Sequence, residues 1–503
     1  MFKTNNKSIN KINADVLIVP IFEDLENIEI VSEMNNSIKT IKLLHDSGEF
    51  KGKEGELSLL HLSERAYKRL LLIGLGKLTS YCDETNSSIT AFPYSAQERL
   101  RRLGAKTFKF AKEKSFEILA VHSEPLNQIK NMTKSPLYYF LEGGLLSTYE
   151  FITYKTKIDG NKAFKEIIIL DEEVEVFTKN LYSIIETSRL TRDLINSPSN
   201  YVTPLFLYEK VRSIKSPYLK TKLLTEKDCE KLAMKGFLSV AKGSNERSAF
   251  IIAEYKKGKS APIVLIGKSI TFDSGGISIK PSEGLEKMRY DMAGGAVVIG
   301  IMKFLTEVQL DAHVIGLLPA TENMPDGNAY KPGDVVKMMN GMTVEIISTD
   351  AEGRMTIADA ITYGIKYYKP KYVIDIATLT GACAITFGNE MIGMMGNSNE
   401  LMTLLRDSGN ETYERVWEMP LCDEFDEYIK SDIADIKNSA GRNGAMLTAG
   451  YFLKHFAGNT PWAHLDIAST AWLEKDKPYL SKGASGSGMR LLIDFITRLK
   501  RDK

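Results

Sequence analysis

The run Ile263-Val-Leu-Ile-Gly-Lys-Ser-Ile-Thr-Phe-Asp-Ser-Gly-Gly276 decides the fold class, because an uninterrupted apolar stretch leads directly into polar residues and glycines. Two further runs, His313-Val-Ile-Gly-Leu-Leu-Pro319 and Tyr372-Val-Ile-Asp-Ile376, have the same apolar character and alternate with segments of helical spacing. Continuous apolar runs are typical of strands buried on both faces, and their alternation with helices is typical of parallel sheets. The sequence therefore predicts a large α/β domain with a mainly parallel sheet flanked by helices.

The first third of the chain repeats this alternation on a smaller scale. Asp15-Val-Leu-Ile-Val-Pro-Ile-Phe22 and Arg69-Leu-Leu-Leu-Ile-Gly-Leu-Gly76 are strand-like, and residues 95–103 have a charged helical pattern. At roughly 150 residues per domain, 503 residues accommodate two or three domains. We predict a small N-terminal α/β domain at 1–171, a linking helix at 172–192 and a larger C-terminal catalytic domain at 193–503.

The composition is that of a folded globular protein, with 43% apolar and 26% charged residues. The 65 basic and 64 acidic residues leave a net charge of +1, which gives no general attraction for nucleic acid or for an anionic membrane. Four widely spaced cysteines form no CxxC pair and indicate reduced thiols. Because the chain opens on polar residues and lacks the ~18 consecutive apolar residues of a membrane span, we expect a cytoplasmic protein without an anchor.

Charged side chains are densest just after two of the predicted strands, at the edge where open α/β sheets place their sites. Four carboxylates brought together raise one another's pKa unless a compensating charge is present, and a pair of divalent cations supplies it. Asp350 and Glu352 are two residues apart, so in extended backbone they would point the same way. The candidate residues are Lys268, Asp273, Lys280, Asp291, Asp350, Glu352 and Arg354.

Other hydrolytic chemistries find little support in the sequence. The six histidines form no HExxH motif, and we expect His464 to be a packed residue or a neighbour of the ligands instead of a ligand. Ser274 does not lie in a GxSxG elbow, which argues against a serine hydrolase. A two-metal phosphoesterase is disfavoured because no segment has the pattern of a phosphate-binding loop.

The two polar clusters resemble the motifs of the leucyl (cytosol) aminopeptidases, a family of two-metal exopeptidases. Ser348-Thr-Asp-Ala-Glu-Gly-Arg354 differs at one position from the family signature Asn-Thr-Asp-Ala-Glu-Gly-Arg. Gly267-Lys-Ser-Ile-Thr-Phe-Asp-Ser-Gly-Gly276 is similar to Gly-Lys-Gly-(Ile/Leu)-Thr-Phe-Asp-Ser-Gly-Gly. The resemblance extends from about residue 185 to the end, with Ser348, Ser269 and Ser485 in place of the usual Asn, Gly and Thr.

This resemblance implies an aminopeptidase that hydrolyses unblocked N-terminal residues of peptides, preferably leucine and other apolar ones, in intracellular peptide and protein turnover. It implies two divalent metal ions per subunit, Mn or Zn. Lys268, Asp273 and Asp291 would bind one ion and Asp350 the other, with Asp273 and Glu352 shared between them. Lys280 and Arg354 would be the catalytic residues that bind no metal, and Arg354 would hold a bicarbonate as general base.

The resemblance also implies a substrate pocket and an assembly. Met288, Thr378 and Leu379 match positions that line the pocket for the first side chain of the substrate. The assembly would be a homohexamer. Some bacterial relatives in this family also bind DNA, so an additional DNA-binding or regulatory role is the alternative, although the net charge of +1 does not favour it.

Overall fold

The structure, a computed structural model, describes residues 2–4, 12–24, 35–62, 67–81, 94–157, 164–170 and 175–501. It divides into two compact units: Met1–Ile185 with Asp476–Ser481, and Glu186–Lys475 with Lys482–Lys503. Both units are α/β, which confirms the predicted fold class. In the part of the chain described, no helix is long and apolar enough to cross a membrane.

The N-terminal unit is built on a six-stranded sheet of order β1-β6-β5-β2-β4-β3. All neighbouring strands are parallel except β3 and β4. The strands are β1 Phe2–Thr4, β2 Val16–Phe22, β3 Leu57–His61, β4 Arg69–Gly76, β5 Ile118–His122 and β6 Glu166–Leu170. Its helices are α1 Asn35–Ser47, α2 Ala96–Glu113 and α3 Pro136–Leu146, and α4 Glu175–Asn196 begins in this unit and continues past its boundary at residue 185.

The central strand β2 is buried on both faces because apolar clusters cover the sheet from both sides. Val16 and Ile18 belong to the cluster formed with α2 and α3, whereas Leu17 and Val19 belong to a second cluster that contains Ile41 of α1. Successive residues of a strand face opposite sides of a sheet, so a strand covered on both sides must be apolar at every position. This explains the continuous apolar run at 16–22.

Helix α2 continues well beyond the predicted segment at 95–103. Ser95 caps its N-terminus by accepting a hydrogen bond from the backbone of Glu98. Gly104, which would weaken an isolated helix, is required here because a Cβ at that position would lie 1.8 Å from the carbonyl oxygen of Phe140 in α3. The close approach of α2 and α3 therefore favours glycine inside the helix.

A segment from near the end of the sequence completes the N-terminal unit. Asp476–Ser481 belongs to this unit, and Tyr479 is buried in its apolar cluster. The Tyr479 hydroxyl donates a 2.8 Å hydrogen bond to Glu98 Oε2, and Arg102 Nε donates to Glu98 Oε1 at 2.8 Å. The carboxylate of Glu98, which is 1% exposed, thus has a partner on each oxygen.

Helix α4 overlaps the segment at 172–192 that is predicted as a linking helix, and it ends four residues later, at Asn196. Residues 172–174 of the predicted helix lie outside the described residues. Cys229 and Cys383 are buried free thiols and Cys422 is an exposed one, whereas Cys82 also lies outside the described residues.

The C-terminal unit is built on a nine-stranded sheet of order β16-β15-β18-β14-β9-β11-β8-β7, with β10 paired to β11. Its strands are β7 Leu219–Leu224, β8 Ala249–Lys256, β9 Ile263–Gly267, β10 Ser269–Asp273, β11 His313–Asn323, β14 Tyr372–Ala377, β15 Ile392–Gly396, β16 Val416–Glu418 and β18 Trp462–Asp466. Smaller sheets contain β12 Val335–Lys337, β13 Thr343–Glu345 and β17 Ile436–Lys437, and β19 Trp472–Leu473 and β20 Gly483–Ala484.

Helices cover the large sheet, and its centre is parallel as predicted. Strands β11, β9, β14 and β18 run parallel, whereas β7, β8 and β15 introduce antiparallel pairs towards the edges. Val264 and Ile266 of β9 share an apolar core with Ile357 and Ile361. The helices are α5 Pro204–Ser213, α6 Glu226–Lys231, α7 Lys235–Ala241, α8 Ala293–Val308, α9 Glu352–Tyr368, α10 Gly381–Phe387, α11 Asn399–Thr412, α12 Glu424–Ile429, α13 Ala445–Ala457 and α14 Met489–Arg501.

We expect acid to destabilise the N-terminal unit through His122, the last residue of β5. Burial lowers the pKa of this imidazole from 6.5 to about 4. As the pH falls from about 6.5 to about 4, the unfolded chain takes up a proton that the folded unit does not, so stability is lost in this window. The shift corresponds to about 3 kcal/mol at most. Urea unfolding of wild type and His122→Gln across this window tests the prediction, and equal losses of stability would contradict it.

Candidate active site

The predicted site residues lie where the central strands of the large sheet end. Lys268 separates β9 from β10, and Asp273 ends β10. Asp291 lies on a 3-10 helix, Leu285–Met292, that leads into α8. Asp350 lies on a 3-10 turn, Thr349–Ala351, and Glu352 is the first residue of α9. The carboxyl ends of parallel strands meet at one edge, so residues far apart in sequence converge there.

Lys268 lies at one end of the group, and its side chain is 3% exposed. Its Nζ is 2.8 Å from Asp291 Oδ2 and 2.8 Å from Glu352 Oε1, and it donates to the Thr378 carbonyl at 3.1 Å. Gly353 makes room for this lysine, because a Cβ at position 353 would lie 2.6 Å from Lys268 Cε. Lys268 of the first motif therefore explains why the second motif has a glycine at position 353.

Lys280 lies at the other end of the group and is more accessible, with its side chain 21% exposed. Its Nζ is 2.8 Å from Asp273 Oδ2 and also contacts Asp350 Oδ1. The Asp350 side chain is 38% exposed, so this end opens to solvent. The structure therefore brings together six of the seven predicted charged residues in one group of ion pairs.

We call Asp273, Asp291, Asp350 and Glu352 the carboxylate cluster. Burial raises the pKa of Asp273 and Asp291, and it raises that of Asp350 to about 6. Burial alone would raise the pKa of Glu352 as well, but Lys268 and Lys280 hold it below its usual value. Burial would lower the pKa of each lysine, yet the surrounding carboxylates raise both above the usual range.

The donor set of the carboxylate cluster fits divalent cations. Asp273, Asp350 and Glu352 each offer an oxygen, and these three oxygens lie within 4.8 Å of one another. Two ammonium groups against four carboxylates leave two negative charges uncompensated among these six side chains. Oxygen-rich sites of this charge suit hard or borderline divalent ions. The residues present can therefore hold metal ions.

The predicted extended backbone at Asp350 and Glu352 is wrong. The backbone N–H of Ala351 donates to the Ser348 carbonyl at 3.3 Å and closes the 3-10 turn at Thr349–Ala351, and the Ser348 hydroxyl caps it by accepting a 3.2 Å hydrogen bond from the backbone N–H of Asp350. Helix α9 then begins at Glu352. The 3-10 turn and the start of α9 place both carboxylates in the cluster. The two-residue spacing did not predict this backbone conformation.

Arg354 lies in the first turn of α9, but it forms no ion pair with the carboxylate cluster. Its Nη1 donates to the carbonyl of Asn438 at 2.7 Å, and its buried Nε has no partner in the described part of the chain. Burial lowers the pKa of this guanidinium to about 10. A buried guanidinium with a free donor at a helix N-terminus is suited to bind an anion.

The predicted pocket residues divide into two kinds. The Thr378 hydroxyl donates to Asp291 Oδ1 at 2.6 Å, so Thr378 contacts the carboxylate cluster directly. Leu379 and Met288 are half-buried apolar residues, the first after β14 and the second on the 3-10 helix that carries Asp291. Neither has a polar side chain that could bind the cluster, and Leu379 packs against the apolar core that contains Val264 and Ile266.

His464 contacts none of the predicted ligands through a hydrogen bond or an ion pair. It is fully buried, and its Nδ1 is 2.5 Å from Asp375 Oδ1. Trp462 Nε1 donates to the other oxygen of Asp375 at 2.7 Å. The geometry is that of a packed residue within the sheet, which is one of the two outcomes that the sequence predicts.

Several buried polar residues around the cluster were not identified from the sequence. Thr349 Oγ1 donates to the Gly275 carbonyl at 2.6 Å, and the Tyr330 hydroxyl donates to the Thr349 carbonyl at 3.0 Å. Asn438 Oδ1 accepts from the backbone N–H of Ile347 at 2.8 Å. Asn323 donates to Asp273. Such residues are uncharged and distant in sequence, and only their place at strand ends or within motifs could have indicated them.

The comparisons with known proteins identify the family of this chain. Residues 189–493 match the cytosol aminopeptidase family, catalytic domain, and residues 18–158 match the N-terminal domain of the same family. "Probable cytosol aminopeptidase" from Geotalea uraniireducens (strain Rf4) is 43% identical over 469 residues, which cover 91% of each chain. The protein of the same name from Geobacter sp. (strain M21) is 41% identical over 494 residues, which cover 96% of each.

Solved structures with the same fold cover nearly the whole chain. The bottromycin maturation enzyme BotP in complex with Mn has a TM-score of 0.82 at 25% identity, covering 97% of this chain and 99% of that one. A mutant of tomato leucine aminopeptidase has a TM-score of 0.83 at 26% identity, covering 99% of this chain and 96% of that one.

The fold and the site define a metal-dependent peptidase, which is a hydrolase. The chain belongs to the cytosol aminopeptidase family. Membership implies aminopeptidase activity on peptides.

Proposed function

We propose that this protein is a two-metal aminopeptidase that removes unblocked N-terminal residues from peptides and prefers leucine and other apolar residues. The observation that carries the proposal is the convergence of four carboxylates from three separate segments on Lys268 and Lys280. Family membership supports the reaction, and the charge of the cluster supports two cations.

Each metal has a proposed set of ligands in this chain. Lys268, Asp273, Asp291 and Glu352 bind one ion, and Asp273, Asp350 and Glu352 bind the other. The second set is supported by the three oxygens within 4.8 Å of one another. A lysine amine binds a cation only when it is neutral, so the ion at Lys268 takes the place of a proton. When bound, the ions polarise the scissile carbonyl and lower the pKa of water.

Lys280 and Arg354 act as the catalytic residues. The carboxylates keep the pKa of Lys280 above its usual range, so its ammonium persists at neutral pH and can stabilise the negative charge that develops on the carbonyl oxygen. Arg354 would hold a bicarbonate, which would supply a general base. Among the residues that the structure describes, Arg354 Nε has no hydrogen-bond partner and no carboxylate pairs with the guanidinium, which supports an anion there.

The substrate pocket is lined by Met288, Thr378 and Leu379. A methionine adapts its shape to several apolar side chains, which favours leucine and methionine over charged residues. One methylene in such a pocket is worth about 1–3 kcal/mol, so the preference is graded. Ser348, where the family signature has Asn, lies two residues from Asp350 and alters the wall of the site.

The remaining proposals concern metal identity, assembly and cellular role. We propose Mn or Zn, and a complex of BotP with Mn supports the first. The homohexamer rests on the resemblance to the family, and sedimentation that shows only a monomer at micromolar concentration would refute it. A cytoplasmic location is supported by the name of the bacterial relatives, and the role in peptide turnover rests on the resemblance to the family. The net charge of +1 gives no support to the DNA-binding alternative.

Hydrolysis of leucyl-anilide before and after chelation tests the proposed function. We expect activity to be lost on chelation and restored by Mn²⁺ or Zn²⁺, because the carboxylate cluster needs cations to bind substrate and to react. The N-acetylated anilide is the matched control. It should not be cleaved, because acetylation removes the free amine and adds bulk at the same point. Full activity of a verified metal-free protein, or equal cleavage of both anilides, would refute the proposal.

A further inference from the structure

Asn323 is a buried neutral residue that the proposed reaction does not use, although it lies beside the carboxylate cluster. It ends β11, is fully buried and pairs in register with Asp273 of β10. Its carbonyl accepts hydrogen bonds from the backbone N–H of Ser274 at 3.0 Å and from Ser274 Oγ at 2.7 Å. The backbone at Asn323 is therefore fixed relative to the segment that carries Asp273.

The amide of Asn323 points into the carboxylate cluster. Its Nδ2 donates to Asp273 Oδ1 at 2.8 Å and to the Thr349 carbonyl at 3.0 Å, and it lies 3.5 Å from Glu352 Oε2. Ionised carboxylates and carbonyls accept hydrogen bonds only, so the NH₂ group must face these oxygens and the amide cannot be reversed. Its Oδ1 lies on the other side, towards Gly276.

The hydrogen bonds of Asn323 connect two segments that carry different ligands. Asp273 belongs to the segment that continues to Lys280, whereas the Thr349 carbonyl directly precedes Asp350. The Tyr330 hydroxyl, at 3.0 Å from the same carbonyl, holds Thr349 from a second direction. A neutral donor is suited to this place, because a lysine would compete with a cation and a carboxylate would add a further negative charge.

We propose that Asn323 is a positioning residue that holds Asp273 at a fixed separation from the segment that begins at Thr349 and carries Glu352, so that the two carboxylates shared between the metal ions keep their relative positions. This inference rests on the proposed function. Because both ions depend on the shared carboxylates, loss of the Asn323 amide weakens the binding of both ions. Thr378 provides the contrast, since its hydroxyl bonds to Asp291, which belongs to one ion only.

Metal binding by the full-length protein tests this inference. Competition with a chromophoric chelator measures the affinity for each of two Mn²⁺ ions, and thermal unfolding of the metal-free protein reports the fold. For Asn323→Ala we expect both affinities to fall about 10–100-fold, as is typical when a residue that orients metal ligands is lost. For Thr378→Val we expect the loss to be confined to one ion. The kcat of Asn323→Ala should fall more than its KM rises, because the bound substrate still finds its pocket.

Asn397→Ala is the matched control. The Asn397 amide also joins two carbonyls, those of Gly458 and Thr460 at 3.0 Å each, but it lies at the end of β15 away from the cluster. The Asn397→Ala variant should bind both ions as wild type does. If Asn323→Ala does not fold, Asn323→Ser is measured instead. Serine is smaller than asparagine but polar, so it keeps the site hydrated.

Three results would overturn the inference. Wild-type affinity for both ions in the Asn323 variant would show that the amide does not position the shared carboxylates. A lower affinity for only one of the two ions would show that Asn323 positions the ligands of a single metal site. A wild-type protein that binds fewer than two Mn²⁺ ions would refute the two-metal function itself, and that failure is recognised without any variant.

Discussion

Replacing Glu352 by alanine should lower the kcat for leucyl-anilide by at least about 10³-fold, which corresponds to about 4 kcal/mol of transition-state stabilisation. Glu352 is 1% exposed and lies 2.8 Å from Lys268, at the centre of the cluster. We propose that it is shared by both metals, so its loss removes a ligand from each. The fold should persist, because Lys268 retains Asp291 at 2.8 Å and one negative charge is removed from a crowded group.

Steady-state kinetics, metal content and thermal unfolding check this result together. Glu345→Ala is the control, because Glu345 lies on β13 and pairs with Ser431 Oγ at 2.5 Å. It should retain wild-type activity. A Glu352→Ala rate within about tenfold of wild type would exclude Glu352 from the reaction.

Replacing Lys280 by alanine should lower kcat by about 10²–10³-fold and change KM much less, because a contact to the developing oxyanion forms mainly in the transition state. The carboxylates hold the pKa of Lys280 above its usual range, so the ammonium is present throughout the neutral range. Lys280→Arg keeps a positive charge in a different shape and should recover part of the loss.

Lys287→Ala provides the matched control for Lys280. Lys287 follows seven residues later and pairs with Glu474 at 2.7 Å outside the carboxylate cluster, so its loss should leave kcat unchanged. An effect of Lys280→Ala confined to KM would assign Lys280 to substrate binding alone.

Three central strands of the large sheet, β9, β11 and β14, were predictable because they contain continuous apolar runs. The run at 263–267 coincides with β9, and that at 372–376 falls one residue short of the end of β14. The run at 313–319 continues four residues further as β11, through polar residues that the apolar pattern did not include. Periodicity carries no information on strand direction, so the antiparallel strands towards the edges were not predicted.

Most of the charged candidate residues could be named from the sequence because they lie in two motifs, at 267–276 and 348–354, and Lys280 and Asp291 follow the first motif. Asn323 could not be named, because a neutral amide at the end of a strand has no pattern of its own and its contacts are with residues 26 and 50 positions away. The helix at 95–103 was predicted too short because Gly104 follows this segment and glycine normally weakens a helix. In the structure, glycine is favoured at position 104 because α3 approaches closely there. In both cases the missing information is a contact between distant segments.

Because Tyr479 donates a hydrogen bond to Glu98, the N-terminal unit cannot be completed until residue 479 has been synthesised. A ribosome synthesises the first 185 residues long before it reaches Asp476–Ser481, the segment that completes the same unit. Until then the nascent unit lacks the hydroxyl that satisfies Glu98 Oε2 and the buried ring of Tyr479. The N-terminal unit therefore reaches its final stability only after Asp476–Ser481 has been synthesised, and a fragment that ends at residue 185 should be more sensitive to protease than the same residues in the 503-residue chain.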